Sequence, residues 1–276
     1  MTRSAGPGGP PPVTPRQLTV AVLGLGEAGS AIAADLSAAG AVVRGFDPQV
    51  AAASLGIIEC DGDADACSGA DVVLSLTTAH EAMDALKASL PGLSPDTIYA
   101  DLNTSSSALK EVLSSLAGGA GFARFADVAL MAPVPGKGLR TPMLVSGPAA
   151  LDYARLLGRL GAPVEVLAGP PGAAADRKLV RSVFFKGLAA ALTESLRAAR
   201  ATGCEDWIRD NIAAELTAAS EATVDRLEQG SIQHARRRAE EMADAAGLLS
   251  ELGIPPRIAM ASEQWLRQLL DEQSEG

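Results

Sequence analysis

Leu18-Thr19-Val20-Ala21-Val22-Leu23-Gly24-Leu25-Gly26-Glu27-Ala28-Gly29-Ser30 is the run whose reading decides the fold. Leu18 to Leu23 are aliphatic or β-branched, which predicts a buried strand. Ala31 to Leu36 continue as a helix. Between them stands Gly-x-Gly-x-x-Gly, so the order is that of a dinucleotide-binding turn. Gly24 provides the tight turn, Gly26 lets the backbone approach a pyrophosphate, and Gly29 lets helix and strand pack closely. Leu25, Glu27 and Ala28 complete the candidate cofactor turn, and the helix start turns its N–H groups toward phosphate charge. Without a ligand the same pattern serves as a plain strand-to-helix turn. A second strand, Ala41 to Phe46, ends at Asp47, roughly 20 residues beyond the glycines, where an acid holds ribose hydroxyls. Asp47 would repel a 2′-phosphate, so NAD is expected over NADP. Arg44, expected to point away from the cofactor, leaves NADP open.

At 276 residues the chain has room for two domains. Aromatic residues are only 3% against 47% hydrophobic, so the core must be built from Ala, Leu and Val. The net charge of −10 argues against nucleic acid as a partner. Cys60, Cys67 and Cys204 form neither a disulfide framework nor a metal motif, and are expected as buried small hydrophobes in a reducing cytoplasm. No metal site is expected. No apolar run reaches the roughly 18 residues of a membrane span. Residues 1–17, rich in Gly and Pro, read as a disordered tail rather than a signal peptide.

Beyond the glycine turn, strand and helix patterns alternate. Ile57 to Cys60, Asp71 to Leu76 and Thr97 to Leu102 read as strands, and Ala79 to Leu90 and Ser106 to Leu116 as helices. Leu76 ends one strand and Thr77 and Thr78 follow it, and Asn103 and Thr104 follow another. Ligands of open α/β sheets bind past such strand ends. Thr104 to Ser107 also suit helix capping alone. A second β region covers Phe125 to Leu130, Met143 to Ser146 and Val164 to Leu167. Lys137, in the loop between the first two, either meets an anion or stands solvated. From Gly172 onward every pattern is helical, with breaks expected near Gly203, Gly230 and Gly253. The fold class is therefore an α/β Rossmann-type domain, 18–171, followed by an all-α domain, 172–276.

The first long helix, about Ala173 to Ala201, carries Lys178, Ser182 and Lys186 at four-residue spacing, with Arg181 beside them. Leu179, Val180, Val183, Phe184, Phe185 and Leu188 surround this stripe and call for burial. The stripe either faces solvent or lines a domain cleft. In the cleft Lys178 would serve as general acid/base, its proton affinity lowered by burial and neighbouring cations.

These residues resemble the β-hydroxyacid dehydrogenase and 6-phosphogluconate dehydrogenase superfamily, in particular short NAD(P)-dependent oxidoreductases with a phosphogluconate-dehydrogenase-like helical domain. The resemblance spans about Leu18 to Glu272. In that family a glycine turn precedes a catalytic lysine by six residues, and an Asn follows four later. Gly172, Lys178 and Ser182 reproduce the spacing, with Ser182 in place of Asn. The subgroup's Lys-x-x-Arg-Ser-x-x-x-Lys-Gly is present from Lys178 to Gly187. Asp101-Leu102-Asn103-Thr104 matches the family's Asp-Ser-Thr motif, which implies that Asn103 and Thr104 lie near nicotinamide and substrate. The family's substrate loop, Asp-x-Pro-Val-Ser-Gly-Gly, is altered here: counting from Asp127, its last three positions hold Met131, Ala132 and Pro133. Pro133 has no N–H to offer a carboxylate, which puts a plain 3-hydroxy acid in question.

The resemblance implies hydride transfer between nicotinamide and an alcohol or carbonyl of a small anionic substrate. Lys178 would act as acid/base, Asn103 and Ser182 would orient the oxygen, and Arg181 and Lys186 would attract the anion. Relatives with interlocking helical domains imply a homodimer. His234, Arg237, Arg238 and Glu241 fall at the spacing of one helix face. His234 and Arg237 would then reach a substrate across the interface, and Arg–Glu pairing on an exposed helix is the alternative. Imine reduction and a non-catalytic dinucleotide sensor are the rival readings.

Overall fold

A computed structural model describes residues 16–275. One eight-stranded sheet runs in the order β3-β2-β1-β4-β5-β6-β7-β8. Its strands are β1 (Thr19–Leu23), β2 (Val42–Phe46), β3 (Ile58–Glu59), β4 (Val72–Ser75), β5 (Ile98–Asp101), β6 (Phe125–Leu130), β7 (Met143–Ser146) and β8 (Val164–Val166). The strands from β3 across to β6 are parallel, β7 is antiparallel to β6, and β8 is parallel to β7. The helices between them are α1 (Glu27–Ala38), α2 (Asp63–Cys67), α3 (Ala82–Ser89), α4 (Ser107–Gly119) and α5 (Ala150–Gly158). α5 lies between the last two strands, where the sequence reads only as β.

A parallel sheet covered on both faces needs continuous apolar strands rather than alternating ones. β1 is such a strand. Val20 and Val22 join Ile32 and Leu36 of α1 in one core cluster, whereas Ala21 and Leu23 join Leu86 of α3 and Leu113 of α4 in another. Chain order reverses between β1 and β4, which opens a crevice past the carboxyl ends of these strands.

The helical remainder is α6 (Ala173–Thr202), α7 (Glu205–Thr217), α8 (Glu221–Gln233), α9 (Ala235–Glu251) and α10 (Arg257–Glu275). The chain divides into two compact units between Val180 and Arg181, within α6, while mixed structure gives way to helices at Gly172. In the second unit the Glu194 carboxylate of α6 accepts the N–H groups of Ile258 and Ala259 at 2.9 Å each, capping α10. Leu196, Ala199, Ala235, Ala239, Leu249, Ala259 and Leu266 are its buried apolar residues.

Several expectations are corrected. Gly230 lies inside α8 instead of at a break; the chain turns at His234, and also at 218–220. The apolar residues that surround the lysines of α6 are exposed in this chain, Val180 at 72%, Val183 at 77% and Phe184 at 58%. Cys60 and Cys67 are buried, and burial pushes the Cys67 thiol up to about 12, but Cys204 is only half-buried. Of the expected tail, 1–15 lie outside the described residues. Arg16 pairs with Asp71 at 3.3 Å and Gln17 donates to the Gly40 carbonyl. Among the described residues no helix is long and apolar enough to cross a membrane, and no cluster of His, Cys, Asp or Glu suits a metal.

Candidate active site

The glycine turn is a cradle with no room for side chains at two of its three glycines. Gly24 has φ +87°, and a Cβ there would lie 2.6 Å from the Leu76 carbonyl oxygen. At Gly29 a Cβ would lie 1.9 Å from the Gly24 oxygen. Gly26 differs: a Cβ would meet nothing within 4 Å, so this side of the turn is open. Gly26 is also the N-cap of α1 and brings no capping side chain. The first N–H groups of a helix have no intrahelical acceptor, so Glu27 and Ala28 present them beside an open glycine. That combination fits the pyrophosphate of a dinucleotide. Leu25 contributes differently, with its side chain in the core and its N–H donated to Asp47 Oδ2 at 2.7 Å.

Asp47 therefore ties β2 to the turn. Its other oxygen accepts from Gln49 and Val50 at 2.7 and 3.0 Å. Oδ1 thus uses both of its lone pairs on backbone N–H groups, whereas Oδ2 uses one and keeps the other for a ribose hydroxyl. Arg44 is committed elsewhere, to Asp65 of α2 at 2.7 Å. Thr78 hydrogen-bonds Glu81 at the start of α3, and Leu76 and Thr77 stand half-buried at the end of β4.

One row of register partners crosses the sheet at its carboxyl end: Leu23, Ser75, Asp101, Asp127 and Ser146. Asn103, two residues past Asp101, is buried. Its Nδ2 donates to Asp101 Oδ1, to Ser75 Oγ at 3.3 Å and to Thr77 Oγ1 at 3.3 Å. Thr104 beside it is exposed. Asp127 Oδ2 accepts from Ser146 Oγ at 3.1 Å and from the N–H groups of Gly172 at 2.9 Å and Ala175 at 3.1 Å. Ser146 Oγ in turn accepts from Ala174 at 3.1 Å. These bonds hold the first turn of α6 on the sheet, and the Asp127 charge complements the positive end of its dipole. Gly172 is required there, since φ is +102° and a Cβ would lie 2.8 Å from the Ser107 Cβ.

Sequence reasoning missed the residue that joins Asp101 to Asp127. Lys110 of α4 is fully buried, its Nζ 2.7 Å from Asp101 Oδ2, 3.2 Å from Asp127 Oδ1 and 2.8 Å from the Asp101 carbonyl oxygen. Burial pushes the Asp101 carboxyl up, and Lys110 is the largest influence opposing that rise. A usable signal exists: Lys110 stands where Leu113 and Ala117 mark the buried stripe of the helix.

Lys178 is half-buried in the second turn of α6, and Ser182 is half-buried one turn later. Arg181 and Lys186 are exposed, and the Arg181 guanidinium lies 4.0 Å from the Phe185 ring centroid. Met131 and Ala132 are half-buried, with Met131 bordering a cavity of about 620 Å³ beside β7 and β8. Pro133 and Lys137 are exposed. His234 is the exposed residue at the junction of α8 and α9 and the N-cap of α9. Arg237 pairs with Glu241 at 2.6 Å, while Arg238 turns back to Ser231 at 3.0 Å. His234 and Arg237 do share a cavity of about 410 Å³.

Known proteins resemble both units. Residues 19–137 match the NAD binding domain of 6-phosphogluconate dehydrogenase, and residues 199–269 match a domain of unknown function, DUF1932. A conserved protein of unknown function, solved and described as structurally similar to 3-hydroxyacid dehydrogenases, is 30% identical over 93% of this chain and 98% of its own, with a TM-score of 0.58. An uncharacterised 28.5 kDa protein of Methanothermus fervidus is 26% identical, covering 74% of this chain and 78% of its own. The imine reductase of Myxococcus stipitatus, solved with NADP+, shares the fold at 21% identity and TM-score 0.79, over 92% of this chain and 94% of its own. Its V8 variant, solved with NAD+, is 20% identical with a TM-score of 0.77 over 93% and 95%.

Proposed function

This chain belongs to the family that joins a 6-phosphogluconate-dehydrogenase-type NAD binding domain to a DUF1932 domain, and we propose that it moves hydride between nicotinamide and an alcohol or carbonyl carbon of a small anionic substrate. The chain is an NAD(P)-binding oxidoreductase of the fold shared by 3-hydroxyacid dehydrogenases and imine reductases. The anchored start of α6 supports hydride transfer with Lys178 as acid/base. Lys178 lies one turn past the N–H groups that bind Asp127 and Ser146, on a helix anchored to β6 and β7, and β6 pairs with β5, the strand that leads to Asn103.

In this reading Gly24 to Gly29 hold the pyrophosphate and Asp47 the adenosine ribose. The nicotinamide supplies the hydride chemistry when bound. Lys178 takes the hydroxyl proton on oxidation and returns it on reduction. Asn103 meets the nicotinamide half of the cofactor and, with Ser182, orients the substrate oxygen, Thr104, Met131 and Ala132 line the substrate, and Arg181 and Lys186 attract its anionic group. NAD is preferred because Asp47 disfavours a 2′-phosphate and Arg44 is held by Asp65. A second copy of this chain covers the exposed apolar face of α6, and its His234 and Arg237 cavity serves the substrate. A homodimer accounts for that exposed apolar face.

Fluorescence titration with NADH and NADPH, on wild type and Lys178→Ala, tests the reading together with turnover of hydroxy acids. Both proteins should bind NADH more tightly than NADPH. Turnover should fall roughly 10²–10⁴-fold in the variant. Equal turnover in the two proteins would remove Lys178 from the chemistry. Pro133 favours imine reduction as a second reading, because its missing N–H weakens a carboxylate site. Reduction of cyclic imines without oxidation of any hydroxy acid would select it, and nucleotide binding with neither activity would select a sensor.

A further inference from the structure

The row of charges behind the candidate site contains more than burial alone explains. Two carboxylates and one ammonium lie within a sheet-helix core, with Lys110 at most 1% exposed and Asp101 and Asp127 likewise. Every donor of the ammonium has an acceptor: both carboxylates and the Asp101 carbonyl. Asp127 spends its second oxygen on Ser146 and the first turn of α6. Asp101 spends its own on Asn103.

That last bond determines which end of an amide points where. An ionised carboxylate only accepts, so it binds the Nδ2 end of Asn103 and never the Oδ1 end. Ser75 and Thr77 receive the same nitrogen. Oδ1 is left as a buried acceptor with no partner among the described residues. A buried acceptor without a donor costs about 1–3 kcal/mol, so an unfilled one at a strand end points to a ligand. Asn103 stands at the end of β5, in the half of the sheet that takes the second mononucleotide of a dinucleotide.

We propose that Lys110 is a positioning residue that, through Asp101, holds the Asn103 carboxamide with Oδ1 toward the nicotinamide mononucleotide half of the cofactor, where it accepts a hydrogen bond. This rests on the reading of Asn103 as a cofactor residue and is independent of the acid/base role of Lys178. The donor is the nicotinamide amide or a hydroxyl of its ribose. Lys110 acts at one remove, touching neither cofactor nor substrate.

Binding of NADH, ADP-ribose and ADP to wild type, Lys110→Met and Asp101→Asn tests it by calorimetry. One lost hydrogen bond corresponds to about tenfold in affinity. NADH should therefore bind about tenfold more weakly to Lys110→Met, with ADP unchanged. Should Lys110→Met fail to fold, Asp101→Asn keeps shape and the Lys110–Asp127 pair, and should weaken NADH by at least about threefold. A parallel loss for ADP-ribose assigns the donor to the ribose, and an unchanged ADP-ribose assigns it to the amide. The effect of Asp101→Asn should vanish in an Asn103→Ala background, which a merely structural role would not produce. Equal losses for ADP and NADH, additive effects in the double variant, or unchanged NADH affinity in Asp101→Asn would each overturn the relay. Since the readout is binding, loss of turnover in Lys178→Ala with intact binding bears only on the acid/base reading.

Discussion

The two units of this chain solve opposite problems. The sheet unit puts charges inside: Lys110, Asp101 and Asp127 are buried and paired. The helical unit leaves apolar residues outside, with Val183, Phe184 and Phe185 exposed and a short set of buried Ala and Leu as its core. A covered parallel sheet has enough apolar surface to bear a buried ion triad, provided hydrogen bonds complete it. A helix with bulky residues nearly all round has no such surplus, and its stability calls for another surface.

The contrast should appear most strongly in Lys110→Ala. Removing one member of a buried pair leaves two carboxylates uncompensated, which should cost about 3–5 kcal/mol by urea unfolding. A loss below about 1 kcal/mol would mean that water reaches the triad. On the helical side, wild type should sediment as the proposed dimer, and Val183→Asp with Phe184→Asp should sediment as a monomer while circular dichroism stays helical. A wild type that sediments as a monomer would break the contrast, since the exposed face would then need no cover.

Glu194→Ala tests the helical unit's own cohesion. It removes a carboxylate that caps α10 from a different helix, and should cost about 1 kcal/mol in thermal or urea unfolding. The smallest effect is the pH dependence that comes from Asp101. Burial holds its folded carboxyl above the unfolded value, so the folded chain binds that proton more readily. The associated stability is fully present below about pH 4, the unfolded value, and is lost as pH rises through the folded one. The stability of wild type relative to Asp101→Asn should therefore decline over that window in melts at stepped pH. A wild-type advantage that grows with pH would contradict the direction.

The alternation of strands and helices, the glycine turn, the strands ending at Leu76 and Leu102 (each one residue beyond the observed end), and the start of α6 near Gly172 are legible along the chain. Each depends on local chemistry: β-branched runs, glycines, and polar residues at strand ends. α5 escaped because its short pattern lies between strands. The turn at His234 escaped because Gly230 is a more obvious breaker, yet a helix tolerates one glycine at a cost of about 1 kcal/mol.

The sequence alone determined that this is a Rossmann-type chain with a dinucleotide turn, because periodicity and glycine spacing act over a few residues. It also singled out Lys178, Asn103 and Asp47 as residues worth locating. Only the tertiary structure decided that Asp101 and Asp127 lie side by side in register, that Lys110 sits between them, and that Gly172 must be glycine beneath Ser107. Those contacts join residues from separate elements, and no local pattern states which charges a sheet will bring together. The same limit applies to the apolar face of α6, where the sequence calls for burial and the single chain leaves it exposed.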